Sequence, residues 1–227
     1  MSSRLLAVIA GAGGVLGRAL VAEFSAAGYT VAALRRDGAT VDAPAHGFSC
    51  MLGDAADVQR AMSSVIGELG PVTTLVYNAA HFVMAPFAEL TPADFEAAWR
   101  ASVPGAVACA QAVLPGMLQR GRGALLFTGA TASVRGGARF AAFASAKFAL
   151  RGLAQSLARE YHARGVHVGH VVLDGVLAGS PAAQRFGVGD AQALVPAEVA
   201  RSYRWLAEQA PQAWAHEIDL RPHTESF

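Results

Sequence analysis

Leu5-Leu6-Ala7-Val8-Ile9-Ala10-Gly11-Ala12-Gly13-Gly14-Val15-Leu16-Gly17 decides how this chain folds. Its first six residues are an unbroken apolar run, the pattern of a strand covered on both faces. Four glycines in the next seven positions end that strand. From Val15 an amphipathic helix continues to Ala27 and stops at Gly28, a good C-cap. A strand entering a helix through small residues aims free backbone N–H groups and the positive end of the helix dipole at the turn, which suits a pyrophosphate. Gly11, Gly13, Gly14 and Gly17, together with Val15 and Leu16, are the residues expected to hold it.

Working outward, strand and helix signals alternate along the whole chain. Strands are expected at Thr30–Leu34, Phe48–Leu52, Val72–Tyr77, Ala124–Thr128, Val166–Leu173 and Glu217–Leu220. Between them, Asp54 caps a helix reaching about Leu69, and Thr91 with Pro92 opens a long helix running past Pro104 to Gln119. A second long helix spans Phe140–Arg164, and a last one Pro196–Gln209. This order predicts an α/β fold: a doubly wound parallel sheet of Rossmann type with about seven strands, in a single domain.

Composition narrows the function. The 227 residues can bury a sizeable core, and 53% hydrophobic with 15% charged residues fits a compact globular chain. A formal net charge of +1 gives no bulk attraction to nucleic acid or to an anionic membrane surface. Cys50 and Cys109 are far apart without metal spacing and read as buried free thiols of a reducing cytoplasm. The opening apolar run is shorter than the roughly 7–15 residues of a signal-peptide core. No stretch of about 18 apolar residues marks a membrane span. A cytoplasmic protein with no metal, nucleic-acid or membrane partner is expected.

In nucleotide sites of this architecture, an acid after the second strand accepts from the adenosine ribose hydroxyls. Here that place holds Arg35 and Arg36, whose guanidinium groups suit a 2′-phosphate by charge and geometry. The cofactor expected is therefore NADP(H) over NAD(H), with Asp37 leaving room for some NAD use.

Three further segments follow in order. Tyr77-Asn78-Ala79-Ala80 ends the fourth strand, Phe143-Ala144-Ser145-Ala146-Lys147 lies on the second long helix, and Val172-Leu173-Asp174-Gly175-Val176 ends the sixth strand. With the glycine turn, they resemble the short-chain dehydrogenase/reductase family over essentially the whole chain. The glycine spacing is that of the family's extended and divergent members, Gly11-xx-Gly14-xx-Gly17. Of the Asn-Asn-Ala-Gly and Pro-Gly marks, only part survives. The resemblance implies that Asn78, Ala79 and Ala80 shape the adenine and ribose side of a cofactor groove, with Asp54 beside it, and that Gly175 and Val176 border the nicotinamide.

It also implies four catalytic positions. The asparagine falls on Ser102, the serine on Ala130, the tyrosine on Phe143 and the lysine on Lys147. Carbonyl reduction builds negative charge on an oxygen that an acid must protonate, and phenylalanine has no proton to give. Only Lys147 is retained, with binding of the nicotinamide ribose as its remaining duty. Thr131, next to the serine position, is the nearest stand-in, with Thr128 and His81 behind it. Ser145 points about 200° round the helix from Phe143 and is a poor substitute. Phe140 closes the alternative of a tyrosine seven residues before the lysine.

Two functions fit. One is an NADP(H)-dependent oxidoreductase with an altered proton donor, acting on an apolar small molecule in a cleft lined by Ala130, Phe140 and Phe143. The other is a catalytically silent NADP(H)-binding sensor or partner subunit. Residues 178–195 are expected to form a short substrate lid. The resemblance implies a homodimer or homotetramer built through the two long helices. Trp214–Pro222 is expected to be either an interface, a seal on the cleft or an edge strand.

Overall fold

The computed structural model describes residues 5–37 and 45–224. Along the chain run β1 (Leu6–Ala10), α1 (Val15–Ala26), β2 (Thr30–Arg35), β3 (His46–Ser49), α2 (Ala55–Leu69) and β4 (Thr74–Tyr77). Then come α3 (Pro92–Ser102), α4 (Pro104–Arg120), β5 (Gly123–Thr128), α5 (Ala141–Tyr161) and β6 (Val166–Leu173). α6 (Pro181–Phe186), α7 (Pro196–Glu208) and β7 (Glu217–Leu220) complete the order. The strands form one parallel sheet in the order β3-β2-β1-β4-β5-β6-β7. This is the doubly wound arrangement expected, with the order of strand addition reversing between β1 and β4. Ligands of such sheets bind beyond the strand ends at that reversal.

Side chains alternate across β1, an inner strand, and feed two cores. Leu6, Val8 and Ala10 of β1 pack with Val58, Met62 and Val65 of α2 and Cys109, Val113 and Met117 of α4. Ala7 and Ile9 pack on the other face with Leu20 and Phe24 of α1 and Tyr203 and Leu206 of α7. Each fully buried Leu, Ile or Phe contributes about 1.5–3 kcal/mol relative to exposure, so the inner strands hold the turns beyond their ends firmly. Both cysteines are buried and free.

The structure departs from the sequence expectation in several places. The long helix from Thr91 is broken at Val103, because Pro104 has no N–H to continue the ladder and instead starts α4 at its first position. α3 keeps its predicted start, a capping box in which Thr91 and Asp94 bond reciprocally. Together Pro92–Arg120 is 29 residues and apolar enough to cross a membrane by length and composition, yet α4 lies on the sheet with its apolar face in the core. The third strand is His46–Ser49 rather than Phe48–Leu52, because the Asp57 carboxylate accepts from Met51 N at 2.7 Å and turns the chain away. β4 starts at Thr74, two residues later than expected. Within residues 178–195, the expected lid, Ser180 caps the short helix α6, and Leu177 just before the segment pairs with Leu194.

Candidate functional site

The glycine turn is held from both neighbouring strands. Gly11 N and Ala12 N donate to Leu34 O at 3.0 and 3.2 Å, and Asn78 Nδ2 donates to Gly11 O at 3.1 Å. Gly11 has φ +95°, and a Cβ there would lie 2.8 Å from Ala79 N. A Cβ at Gly17 would lie 2.4 Å from Gly11 O. Side chains are thus excluded where α1 crosses the turn, while Gly13 and Gly14 face open space. No side chain caps α1, so the amides of its first turn, Val15, Leu16 and Gly17, stay available to an anion.

Beside the turn lies a cleft of about 1180 Å³. It is walled by the turn, Arg35–Asp37, Cys50–Asp54 and Asn78–His81, with Ala97, Arg100 and Ala101 of α3 opposite. The expected cofactor residues Gly11, Gly13, Gly14, Arg35, Arg36, Asp54, Asn78, Ala79 and Ala80 all line it. Two of them already have partners within the chain. The Asp54 carboxylate is engaged in capping α2, accepting from Ala56 N at 2.9 Å and Asp57 N at 3.3 Å. Arg35 is held by Asp37 through two bonds of 2.6 and 2.8 Å, and that pairing holds the Asp37 carboxyl below the usual range. Arg36 has no ion pair among the described residues.

The four positions expected to be catalytic lie on α3, on the turn after β5 and on α5. Lys147 is 3% exposed; its Nζ donates to Thr128 O at 2.7 Å and sits 5.7 Å from the Phe143 ring centroid. Burial lowers its pKa to about 8. Phe143 is buried beside Ala130 and Phe140. Ser102 is fully buried at the end of α3, and its Oγ has no hydrogen-bond partner among the described residues. Thr131 Oγ1 donates to Asp174 Oδ1 at 2.5 Å. Asp174 also meets Arg221 at 3.1 Å, and Arg135 stands off at 3.9 Å.

The secondary candidates separate cleanly. Thr128 Oγ1 accepts from Tyr203 of α7 at 2.7 Å and so faces the core, away from the site. His81 is exposed on the wall of the nucleotide cleft. Ser145 is exposed and donates to Ala141 O at 2.7 Å, turned away as the helical angle requires. Gly175 has φ +153° with Pro222 packed where a Cβ would go, and Val176 O accepts from Leu194 N at 2.8 Å. Trp214 stacks on His167 at 4.8 Å, and Glu217–Leu220 is the edge strand β7, so the C-terminal segment is a sheet edge whose end reaches the site.

Three features were missed from sequence. Phe82 closes an aromatic cluster, its ring 5.2 Å from that of Phe143 and 5.9 Å from that of Phe140. Arg185 of α6 lies over Phe82 at 6.0 Å. Beneath the Gly129–Ser133 turn, His170 Nδ1 lies 2.8 Å from Glu217 Oε2, and Arg151 grips the same carboxylate twice at 2.7 Å. The apolar run after β4 was the only signal for Phe82; the other two join residues far apart in the chain.

The family profile described as short chain dehydrogenase matches residues 5–185. D-threitol dehydrogenase of Mycolicibacterium smegmatis is 32% identical over 173 residues, 72% of this chain and 66% of that protein. A crystal structure of a short-chain dehydrogenase from Rhodopseudomonas palustris superposes with a TM-score of 0.81 at 32% identity, covering 97% of this chain and 99% of that one. A metagenomic short-chain oxidoreductase solved in complex with NADP has a TM-score of 0.80 at 25% identity, covering 97% of this chain and 98% of its own. The chain therefore belongs to the short-chain dehydrogenase/reductase family of oxidoreductases.

Proposed function

We propose that this chain is an NADP(H)-dependent oxidoreductase whose proton does not come from a tyrosine. The observation that carries it is Lys147, kept buried beneath Phe143 with its ammonium fixed by Thr128 O. Burying a lysine is costly, and a chain with no use for that amine could place any apolar residue there. One of its three N–H donors is taken by Thr128; the others remain for the nicotinamide ribose.

The residues present fit a dinucleotide. Gly13 and Gly14 leave room for close approach, the uncapped α1 offers amides to the pyrophosphate, and Arg36 would meet the 2′-phosphate. When bound, the nicotinamide supplies or accepts hydride. Ala130, Phe140, Phe143 and Phe82 would form the apolar wall that excludes water from the substrate. Thr131 would hold a hydroxyl at the substrate end, oriented by Asp174. Losing a general acid costs typically about 10²–10⁴ in rate. Substrates that need no tyrosine acid therefore suit the site: an iminium ion, or a conjugated alkene protonated by water. The segment 178–195 would act as a lid over that wall. Exposed Trp99 and Phe148, on α3 and α5, are the apolar surfaces a homodimer or tetramer would cover.

The test is NADPH oxidation by purified protein with carbonyls, imines and enones side by side. Turnover of an imine or enone above a ketone is expected. Tight NADPH binding with no oxidation across the panel would establish the silent, cofactor-binding alternative. Restoring Phe143→Tyr with Ala130→Ser should raise carbonyl reduction.

A further inference from the structure

We infer that the substrate of this cleft carries an anionic group, such as a carboxylate, sulfonate or phosphate, at the end of an apolar body, and that Arg135 and Arg185, with Arg139 beside them, receive it. This rests on reading the aromatic cleft as the substrate site, and it deepens that reading from an apolar molecule to an apolar acid.

The cleft wall cannot orient a ligand by itself. Ala130, Phe140, Phe143 and Phe82 offer no hydrogen-bond donor where the family places two hydroxyls. Small-molecule sites of apolar lining take their specificity from a few convergent polar groups. Here those groups are guanidiniums. Arg185 is exposed on α6, lying over the Phe82 ring and donating only one long bond, 3.4 Å, to Met84 O. That leaves most of its five donors unused. Arg135 leaves the turn that carries Thr131, its side chain 58% exposed. Its nearest carboxylate, Asp174, is 3.9 Å away and is already matched more closely by Arg221 and Thr131. Arg139 is brought to the same rim by its backbone: its carbonyl accepts from Ala85 N at 3.0 Å, one residue on from the carbonyl that Arg185 meets. Neither Arg139 nor Arg185 has an ion pair among the described residues.

The charge balance at the rim is therefore positive. Asp174 is the carboxylate these contacts bring there, and Arg221 answers it. A cleft with low-dielectric walls focuses such a field and draws in an anion, and a planar fork matches carboxylate, sulfonate and phosphate oxygens alike. Arg185 lies over the ring cluster itself, Arg139 is tied by its backbone to the segment Arg185 touches, and Arg135 stands at the Asp174 end of the turn that carries Thr131.

The experiment is calorimetric titration of the protein, with and without NADPH, using 4-phenylbutanoate and the neutral 4-phenylbutanamide, then the matching sulfonate and phosphate. At low salt the anions should bind about tenfold or more tighter than the amide. The gap should shrink to within about threefold in the double variant Arg135→Gln/Arg185→Gln and at high salt. Arg201→Gln, which removes a distant exposed pair with Glu198, should leave it intact. Equal binding of acid and amide, no binding of any anion, or a gap that survives the double variant overturns the inference. Because binding is read without turnover, a protein that prefers acids yet oxidises no NADPH sinks the oxidoreductase reading alone. Turnover of neutral substrates with no acid preference sinks only this one.

Discussion

Arg35 and Arg36 stand side by side after the second strand, but their surroundings differ. Arg35 gives two hydrogen bonds to Asp37 at 2.6 and 2.8 Å, so its charge is already answered. Arg36 lines the nucleotide cleft with no ion pair among the described residues. Replacing Arg36 by alanine should therefore weaken NADPH selectively. A hydrogen bond to a charged group contributes about 1.5–3 kcal/mol, which at about 1.4 kcal/mol per decade is roughly 10- to 150-fold in Kd. Exposure and salt place the expectation at the low end, about tenfold. NADH lacks the 2′-phosphate and should bind Arg36→Ala as it binds the parent. Arg35→Ala should cost less than Arg36→Ala. Asp37→Asn should act in the opposite direction, freeing Arg35 and tightening NADPH. Calorimetric titration of both cofactors at one ionic strength measures all of this. If Arg36→Ala weakens NADPH and NADH equally, or if Arg35→Ala has the larger effect, the assignment of the phosphate to Arg36 is wrong.

Three further outcomes are expected. Gly17→Ala would force a methyl to within 2.4 Å of Gly11 O, a backbone atom that cannot swing aside; a loss of about 1–3 kcal/mol and of NADPH binding should appear in denaturant melts and titration. Tyr203→Phe leaves Thr128 Oγ1 buried without its donor, a cost of about 1–3 kcal/mol that a urea midpoint would report. Burial pushes His162, His167 and His170 below their ordinary value of 6.5, so each stays neutral in the folded chain while the unfolded chain takes up protons. Their contribution to stability is present above pH 6.5 and is lost as pH falls below it. The Glu217 carboxyl, held down chiefly by Arg151, adds a second loss below its ordinary 4.5. Thermal midpoints should fall in both windows, and a flat profile between pH 7.5 and 5 would contradict this account.

The strands that carry the site were legible because they are buried on both faces, and burial on both faces writes a continuous apolar run. Leu5–Ala10 and Val166–Leu173 are such runs. The edge strand His46–Ser49 is largely exposed and leaves little pattern, while the apolar signal just after it comes from Cys50 and Leu52 packing under α2 and α4. The break at Val103 was hidden because proline opens a helix as readily as it ends one, and only packing decides which. At the site, Lys147, Phe143, Ala130 and Ser102 were singled out by the family resemblance, which matches motifs along the chain. Their partners were not. Thr131 meets Asp174 across 43 residues, and no periodicity records a contact of that range. The same limit hid the pairing that withdraws Arg35, because the choice between Asp37 and a phosphate is geometric.

Asp174 is grasped by the turn after β5 on one side and by Arg221, just past β7, on the other. Pro222 then lies against Gly175, and among the described residues β7 pairs with β6 alone. Peeling that last strand from the sheet would remove Arg221 and Pro222 together and leave Asp174, bound by Thr131, with only the more distant Arg135 to answer its charge. Fraying of β7 and loosening of the turn that carries Thr131 and Arg135 are then a single local-unfolding event. Amide hydrogens of 217–220 and of 131–135 should exchange at matched rates, and an acidic ligand seated among the rim arginines should slow both.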